Sequence, residues 1–71
     1  MNKYIVIELQ TADTGQVSTL TTVYDTQFQA ESAFHGILAA AALSDLPKHG
    51  AIIITGDGEY MDAKTYEHSA E

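Results

Sequence analysis

The residues best equipped for chemistry are three histidines, His35, His49 and His68. A zinc site needs three or four ligands brought together in space. No two of these histidines stand four residues apart, and the chain has no H-E-x-x-H motif. We therefore expect solvated or packed histidines and no metal site.

A second group of chemically capable residues surrounds a glycine-rich turn, Gly56-Asp57-Gly58, where Asp57, Glu59 and Asp62 lie close in sequence. An EF-hand calcium loop needs a fixed pattern of alternating acids with a glycine and a final glutamate, and the spacing here does not match it. A hairpin turn explains the glycines, so the sequence favours solvated acids. Weak calcium binding is the alternative.

Catalysis has little support in the sequence. Ser32 and His35 are one helical turn apart, but no third acid is evident to orient the histidine. The Gly56-Asp57-Gly58 turn lacks the lysine of a phosphate loop, and its acid would repel phosphate. The absence of cysteine excludes thiol catalysis, disulfides and thiolate zinc sites. We expect no enzymatic activity and no cofactor.

The charge balance limits the partners. Ten acids against only Lys3, Lys48 and Lys64 give a net charge of −7. Three lysines and no arginine cannot build a phosphate-binding surface, so a nucleic-acid binder is excluded and an anionic membrane is disfavoured. Apolar residues are 45% of the chain and charged residues 18%, which is typical of a folded domain.

These residues must be positioned by a small set of elements. The 71 residues form one domain, 1–71, with a loose tail at 68–71. The pattern predicts strands over 3–10, 16–24, 51–55 and 59–67 and a helix over 26–44. The apolar runs at 5–7 and 52–54 predict that the first and third strands are central, whereas the threonine-rich second strand suits an edge. The expected fold is α+β in two layers: an antiparallel four-stranded sheet, order 2-1-3-4, with one helix on one face.

One helix leaves one face of the sheet uncovered. We expect Ile5, Ile7 and Leu9 to face the helix, together with Ile52 and Ile54. The uncovered face would then be an interaction surface rich in tyrosine, a residue enriched at interfaces. Its predicted members are Tyr4, Val6, Ile53, Tyr60 and Tyr66. The alternative is that scattered exposed tyrosines are ordinary.

A second candidate interface is the alanine-rich end of the helix, with Ala39, Ala42, Leu43 and Leu46. These residues lie off the stripe that faces the sheet and would suit a close helix–helix contact between chains. The alternative is that alanine simply favours helix. Because so short a chain has a marginal core, we expect a homo-oligomer, most simply a dimer.

The whole chain resembles the small uncharacterised proteins encoded in phages and prophages of Gram-positive bacteria. The resemblance rests on segments spread in order along the chain: 4–11, Ala30-Glu31-Ser32 with His35, 37–42, Pro47 with His49, and Tyr66-Glu67-His68. It implies a phage context and no mechanism, so no catalytic or binding residue is carried over from it.

Two functional hypotheses follow. The first is a non-enzymatic, self-associating accessory or structural protein of phage or prophage origin, which associates through the uncovered sheet face. The second is an acidic inhibitor that occupies the nucleic-acid-binding site of a host protein. Without a signal peptide or a membrane span, the protein is expected in the cytoplasm of the bacterial host or in the virion, with a host or phage protein as a further partner.

Overall fold

The computed structural model describes residues 3–68 and contains four strands and one helix. The elements are β1 (Tyr4–Thr11), β2 (Val17–Tyr24), α1 (Gln27–Ala42), β3 (Lys48–Thr55) and β4 (Tyr60–Glu67). The strands form one antiparallel sheet in the order β2-β1-β3-β4. The predicted α+β fold and strand order are confirmed, including the edge position of β2.

Side-chain and backbone caps fix both ends of α1. Thr26 is the N-cap, and its hydroxyl accepts a hydrogen bond from the backbone N–H of Gln29 at 3.2 Å, which satisfies one of the free donors of the first turn. At the other end, the Leu43 N–H donates to the Ala40 carbonyl at 3.1 Å, and the Ser44 N–H donates to the Ala41 carbonyl at 3.2 Å. The hydroxyl of Ser44 then accepts from the Leu46 N–H at 3.1 Å. The helix therefore ends before residue 44, the predicted limit.

Strand β3 begins at Lys48, three residues earlier than the sequence predicts. In this extended part of β3, Gly50 packs directly against the backbone of β4. A Cβ at this position would lie 2.4 Å from the Lys64 carbonyl oxygen and 2.7 Å from the Thr65 Cα. Only glycine lets β3 and β4 approach so closely here. His49, which sequence reasoning left in a loop, is a buried strand residue.

The core lies between α1 and the face of the sheet that carries Val6, Ala51 and Ile53. Ala30 and Phe34 of the helix pack against these residues, and all five are at most 2% exposed. Since side chains alternate along a strand, the neighbouring residues point to the opposite face. The prediction that Ile5, Ile7, Leu9, Ile52 and Ile54 face the helix is therefore wrong.

The end of the chain is held at His68, which the sequence placed in a loose tail. Its backbone N–H donates to the Pro47 carbonyl at 2.8 Å, and its ring Nε2 lies 2.8 Å from the Ala41 carbonyl. The rest of the predicted tail, 69–71, lies outside the described residues.

Candidate functional site

The face of the sheet opposite α1 is the candidate site, and we call it the uncovered face. Strand register and side-chain alternation arrange it in four rows that cross the sheet from β2 to β4. The rows are Val23–Ile5–Ile54–Tyr60, Thr21–Ile7–Ile52–Ala63, Thr19–Leu9–Gly50–Thr65 and Val17–Thr11–Lys48–Glu67. Charge occurs only in the last row, where Lys48 pairs with Glu67 at one end of the sheet. The other three rows are apolar or hydroxyl-bearing.

The predicted interface residues are mostly elsewhere. Val6 and Ile53, each 2% exposed, belong to the core, and Tyr4 packs against it. Tyr66 stands opposite the buried His49 on the helix side of the sheet. Of the five, Tyr60 alone lies on the uncovered face, 65% exposed and opposite Ile54. The strand order is the predicted one, but the side of the sheet that the helix covers is not.

A shift in register between Ile53 and Ile54 explains the position of Tyr60. Asp62 pairs with Ile53 and Tyr60 pairs with Ile54, so Met61 is the extra residue of a β-bulge. Met61 packs against the core. The alternation of side chains along β4 is interrupted at this residue, so Tyr60 and Tyr66 lie on opposite faces of the sheet.

The acids that could form an inhibitory surface are divided between the two ends of the sheet. Asp25 pairs with Lys3 near the end where Tyr4, Tyr24 and Thr55 are neighbours, and the turn with Asp57 and Glu59 is at that end too. The acids at the opposite end, Asp13, Asp45 and Glu67, line one depression with Lys48. A strand of eight residues separates the two groups by roughly 26 Å.

A buried polar cluster lies on the helix side of the sheet, and sequence reasoning missed it. The His49 Nε2 donates to the Glu8 carboxylate at 2.6 Å, and the Gln10 amide donates to the same oxygen at 2.9 Å. The hydrogen bond from His49, followed by the one from Gln10, lowers the pKa of Glu8 below its ordinary value. The His49 Nδ1 is buried with no hydrogen-bond partner among residues 3–68. The sequence signal was the pairing of two central strands, which sets Glu8 beside Ala51, diagonal to His49.

The residues considered for catalysis do not converge. Ser32 lines a groove beside the end of β2, whereas His35 lines a different depression with Asp62 and Met61 and contacts the edge of Phe34. His68 stacks on Tyr66. Within residues 3–68, no group of three or more His, Asp or Glu side chains is placed to hold a metal ion.

The outer side of α1 is exposed. Leu43 is 88% exposed, Ala39 and Ala42 are also exposed, and Leu46 is half-buried. Phe28, which the sequence analysis did not single out, is 84% exposed at the other end of the helix. It borders an open groove of about 600 Å³ between α1 and the end of β2.

No family model, no curated protein and no solved structure matches this chain. Among the described residues, no helix combines the length and the apolarity that crossing a membrane requires.

Proposed function

We propose that this protein is a non-enzymatic, self-associating accessory or structural protein, and that its uncovered face packs against the same face of a second copy. One observation carries the proposal: three of the four rows of this face contain no charge, although the chain has ten acids and three lysines. Interface centres are depleted in charged residues, and large apolar patches on small proteins mark interaction sites.

The charge distribution favours a second copy as the occupant. Two chains that each carry −7 repel one another, so they can meet only where the acids are absent. The described acids lie at the ends of the strands, on the helix side of the sheet (Glu8 and Asp62) or on α1 (Glu31), so the uncovered face is nearly neutral. A symmetric pair of such faces would form a two-sheet sandwich, in which inner side chains interdigitate across about 10 Å.

The area of the face is sufficient for such an interface. Four strands at a spacing of about 4.8 Å and eight residues at about 3.3 Å give a projected area of roughly 500 Å² per copy. Two copies would bury about 1,000 Å² or more, the lower limit for a specific interface. The same burial would supplement the small core of a chain of this size.

A phage or prophage context is part of the proposal and rests on the resemblance described above. The alternative, an acidic inhibitor of a nucleic-acid-binding protein, has less support. Such an inhibitor needs its acids on one surface, whereas Asp25, Asp57 and Glu59 lie at one end of the sheet and Asp13, Asp45 and Glu67 at the other.

The experiment is molar mass by size-exclusion chromatography with light scattering, over a wide dilution series. Ile7→Lys places a charge at the centre of the uncovered face, and Tyr60→Lys places one at an exposed position of the same face. Gln29→Lys, on the exposed side of the helix, adds the same charge away from it. Circular dichroism establishes that each variant is folded.

We expect the wild type to have a mass of at least twice the 7.7 kDa chain. Ile7→Lys and Tyr60→Lys should lower that mass, and Gln29→Lys should leave it unchanged. A wild type that stays at one chain throughout would overturn the proposal. So would folded Ile7→Lys and Tyr60→Lys proteins with the wild-type mass.

A further inference from the structure

The two edges of the sheet are built differently. β4 carries Asp62, Lys64 and Glu67 as well as the bulge at Met61. Inserted charges and bulges are the usual features that prevent an edge strand from pairing with another chain. β2 has no charge, no proline and no register shift, and its residues 17–23 are all exposed. This edge is open to another strand.

The hydrogen-bond pattern shows which backbone groups of β2 are free to pair. The Ala12 N–H donates to the Gln16 carbonyl at 2.9 Å, so the even-numbered residues of β2 turn their backbone groups toward β1. Since these groups alternate along an antiparallel strand, the odd-numbered residues of β2 turn theirs outward. They are Val17, Thr19, Thr21 and Val23.

The sequence of this edge is nearly the same in both directions. Residues 17–23 read Val-Ser-Thr-Leu-Thr-Thr-Val, which is symmetric about Leu20 except that Ser18 corresponds to Thr22. In an antiparallel pair of two such strands centred on Leu20, Val17 would face Val23, Thr19 would face Thr21, and Leu20 would face itself. Cross-strand pairs of this kind stabilise a sheet.

We propose that β2 pairs antiparallel with β2 of a second copy, with Leu20 on the two-fold axis, to make a continuous eight-stranded sheet. The inference deepens the proposed function, since both rest on self-association. In this register, all four outward-facing residues of one strand are opposite outward-facing residues of the other. The exposed Leu20, 64% accessible in the single chain, is covered by its own copy.

A second copy fits this edge better than a different partner does. A strand from a different protein would require only an open edge on β2. The symmetry of residues 17–23 about Leu20 is needed only if β2 pairs with β2 of a second copy. No acid is placed within the paired segment, and Asp13 and Asp25 lie beyond its two ends. Pairing about a two-fold axis perpendicular to the sheet keeps both helices on the same side. The uncovered faces of the two copies then join into one larger face, so edge pairing and face packing are compatible.

The register can be tested by disulfide trapping, because the chain contains no cysteine. Leu20 would form a non-hydrogen-bonded pair with its copy, with Cα atoms about 4.5 Å apart, within the range that a disulfide spans. Leu20→Cys is therefore the test variant. Thr22→Cys is the matched control: it lies on the same side of the same strand and is also exposed, but its two copies would be roughly 13 Å apart.

We expect Leu20→Cys to form a covalent dimer under mild oxidation at least tenfold faster than Thr22→Cys. A mixture of Ser18→Cys and Thr22→Cys should cross-link between the two variants, because these residues face each other in the proposed register. If Leu20→Cys cross-links no faster than Thr22→Cys, or if the mixture yields no mixed dimer, the edge proposal is overturned.

A further variant separates this proposal from packing of the uncovered face. Leu20→Cys combined with Ile7→Lys should still cross-link, since residue 7 lies outside the edge. Loss of cross-linking in this folded variant would mean that the edge contact is only a consequence of face packing, and would overturn the edge proposal. Conversely, rapid cross-linking together with a mass that Ile7→Lys and Tyr60→Lys leave unchanged would support the edge and overturn the face.

Discussion

The same substitution, glycine to alanine, should have opposite effects at two positions of this chain. In the middle of α1, Gly36 has no heavy atom within 4 Å of an added Cβ. Alanine is favoured over glycine in a helix interior by about 1 kcal/mol, so Gly36→Ala should stabilise the fold by about that amount. At Gly50, an added Cβ would lie 2.4 Å from the Lys64 carbonyl oxygen, where ordinary contact begins at 3.4 Å.

The cost at Gly50 follows from what must move. Lys64 O and Thr65 Cα are backbone atoms, so β4 itself must shift by about 1 Å relative to β3. Overpacking of this kind costs about 1–3 kcal/mol, and a rigid backbone neighbour places the cost near 3. The core of so small a domain supplies roughly 3–5 kcal/mol, so Gly50→Ala should leave little stability.

Urea denaturation followed by circular dichroism measures both free energies of unfolding. All samples need one protein concentration, because self-association adds to the apparent stability. We expect the two variants to differ by about 4 kcal/mol, with the wild type between them. A Gly50→Ala protein as stable as the wild type would refute the argument that β3 and β4 approach as closely as the structure shows.

Three further predictions concern acid stability, the helix cap and the edge strand. The hydrogen bond from His49 lowers the pKa of Glu8. The ionised Glu8 therefore stabilises the fold fully at pH values above the ordinary glutamate pKa of about 4.3, and this stabilisation is lost as the pH falls through the lowered pKa. Thermal melts should therefore show a smaller acid loss in Glu8→Gln than in the wild type, and equal losses would rule out this pair as a source. Thr26→Ala should reduce the free energy of unfolding by about 1 kcal/mol, whereas Thr26→Ser should keep most of the stability that the cap provides. If urea denaturation shows the same stability for the two variants, the Thr26 hydroxyl does not cap the helix. Thr21→Pro removes an N–H that points away from β1, so the chain should fold but lose the pairing between β2 strands. A molar mass by light scattering equal to that of the wild type would contradict the proposed edge pairing.

The order and pairing of the elements could be predicted because local signals agree with one another. The apolar runs at 5–7 and 52–54 mark the central strands, Thr26 marks the start of the helix, and Gly56-Asp57-Gly58 marks the last turn. The predicted start of β3 was wrong because that boundary depends on contacts between residues far apart in the sequence. β3 begins at Lys48 because Gly50 packs closely against β4 and His49 forms a hydrogen bond with Glu8 on the neighbouring strand. Neither contact can be predicted from the residues adjacent in sequence.

The candidate site was harder to predict than the fold, for a reason that lies in β1 and β3. Both faces of these strands are apolar: Val6 and Ile53 on one side, Ile7 and Ile52 on the other. Counting hydrophobic residues favours the side with more isoleucine as the core. The packing favours the other side, where Ala30 and Phe34 of the helix contact Val6, Ala51 and Ile53. Ile5, Ile7, Ile52 and Ile54 consequently lie on the uncovered face.

The position of these isoleucines on the uncovered face affects the free energy of the single chain in water. A face of Ile5, Ile7, Ile52 and Ile54 is more apolar than the tyrosine-rich face that the sequence first indicated, so leaving it in water is correspondingly more costly. Charged residues could have reduced this cost, yet the described ones lie at the ends of the strands, on β4, on α1 or, in the case of Glu8, on the helix side of the sheet. β2, the strand that joins this face to the open edge, carries none. An edge strand that carries no charge and is nearly symmetric about Leu20 has the features that the proposed pairing of β2 with a second copy requires.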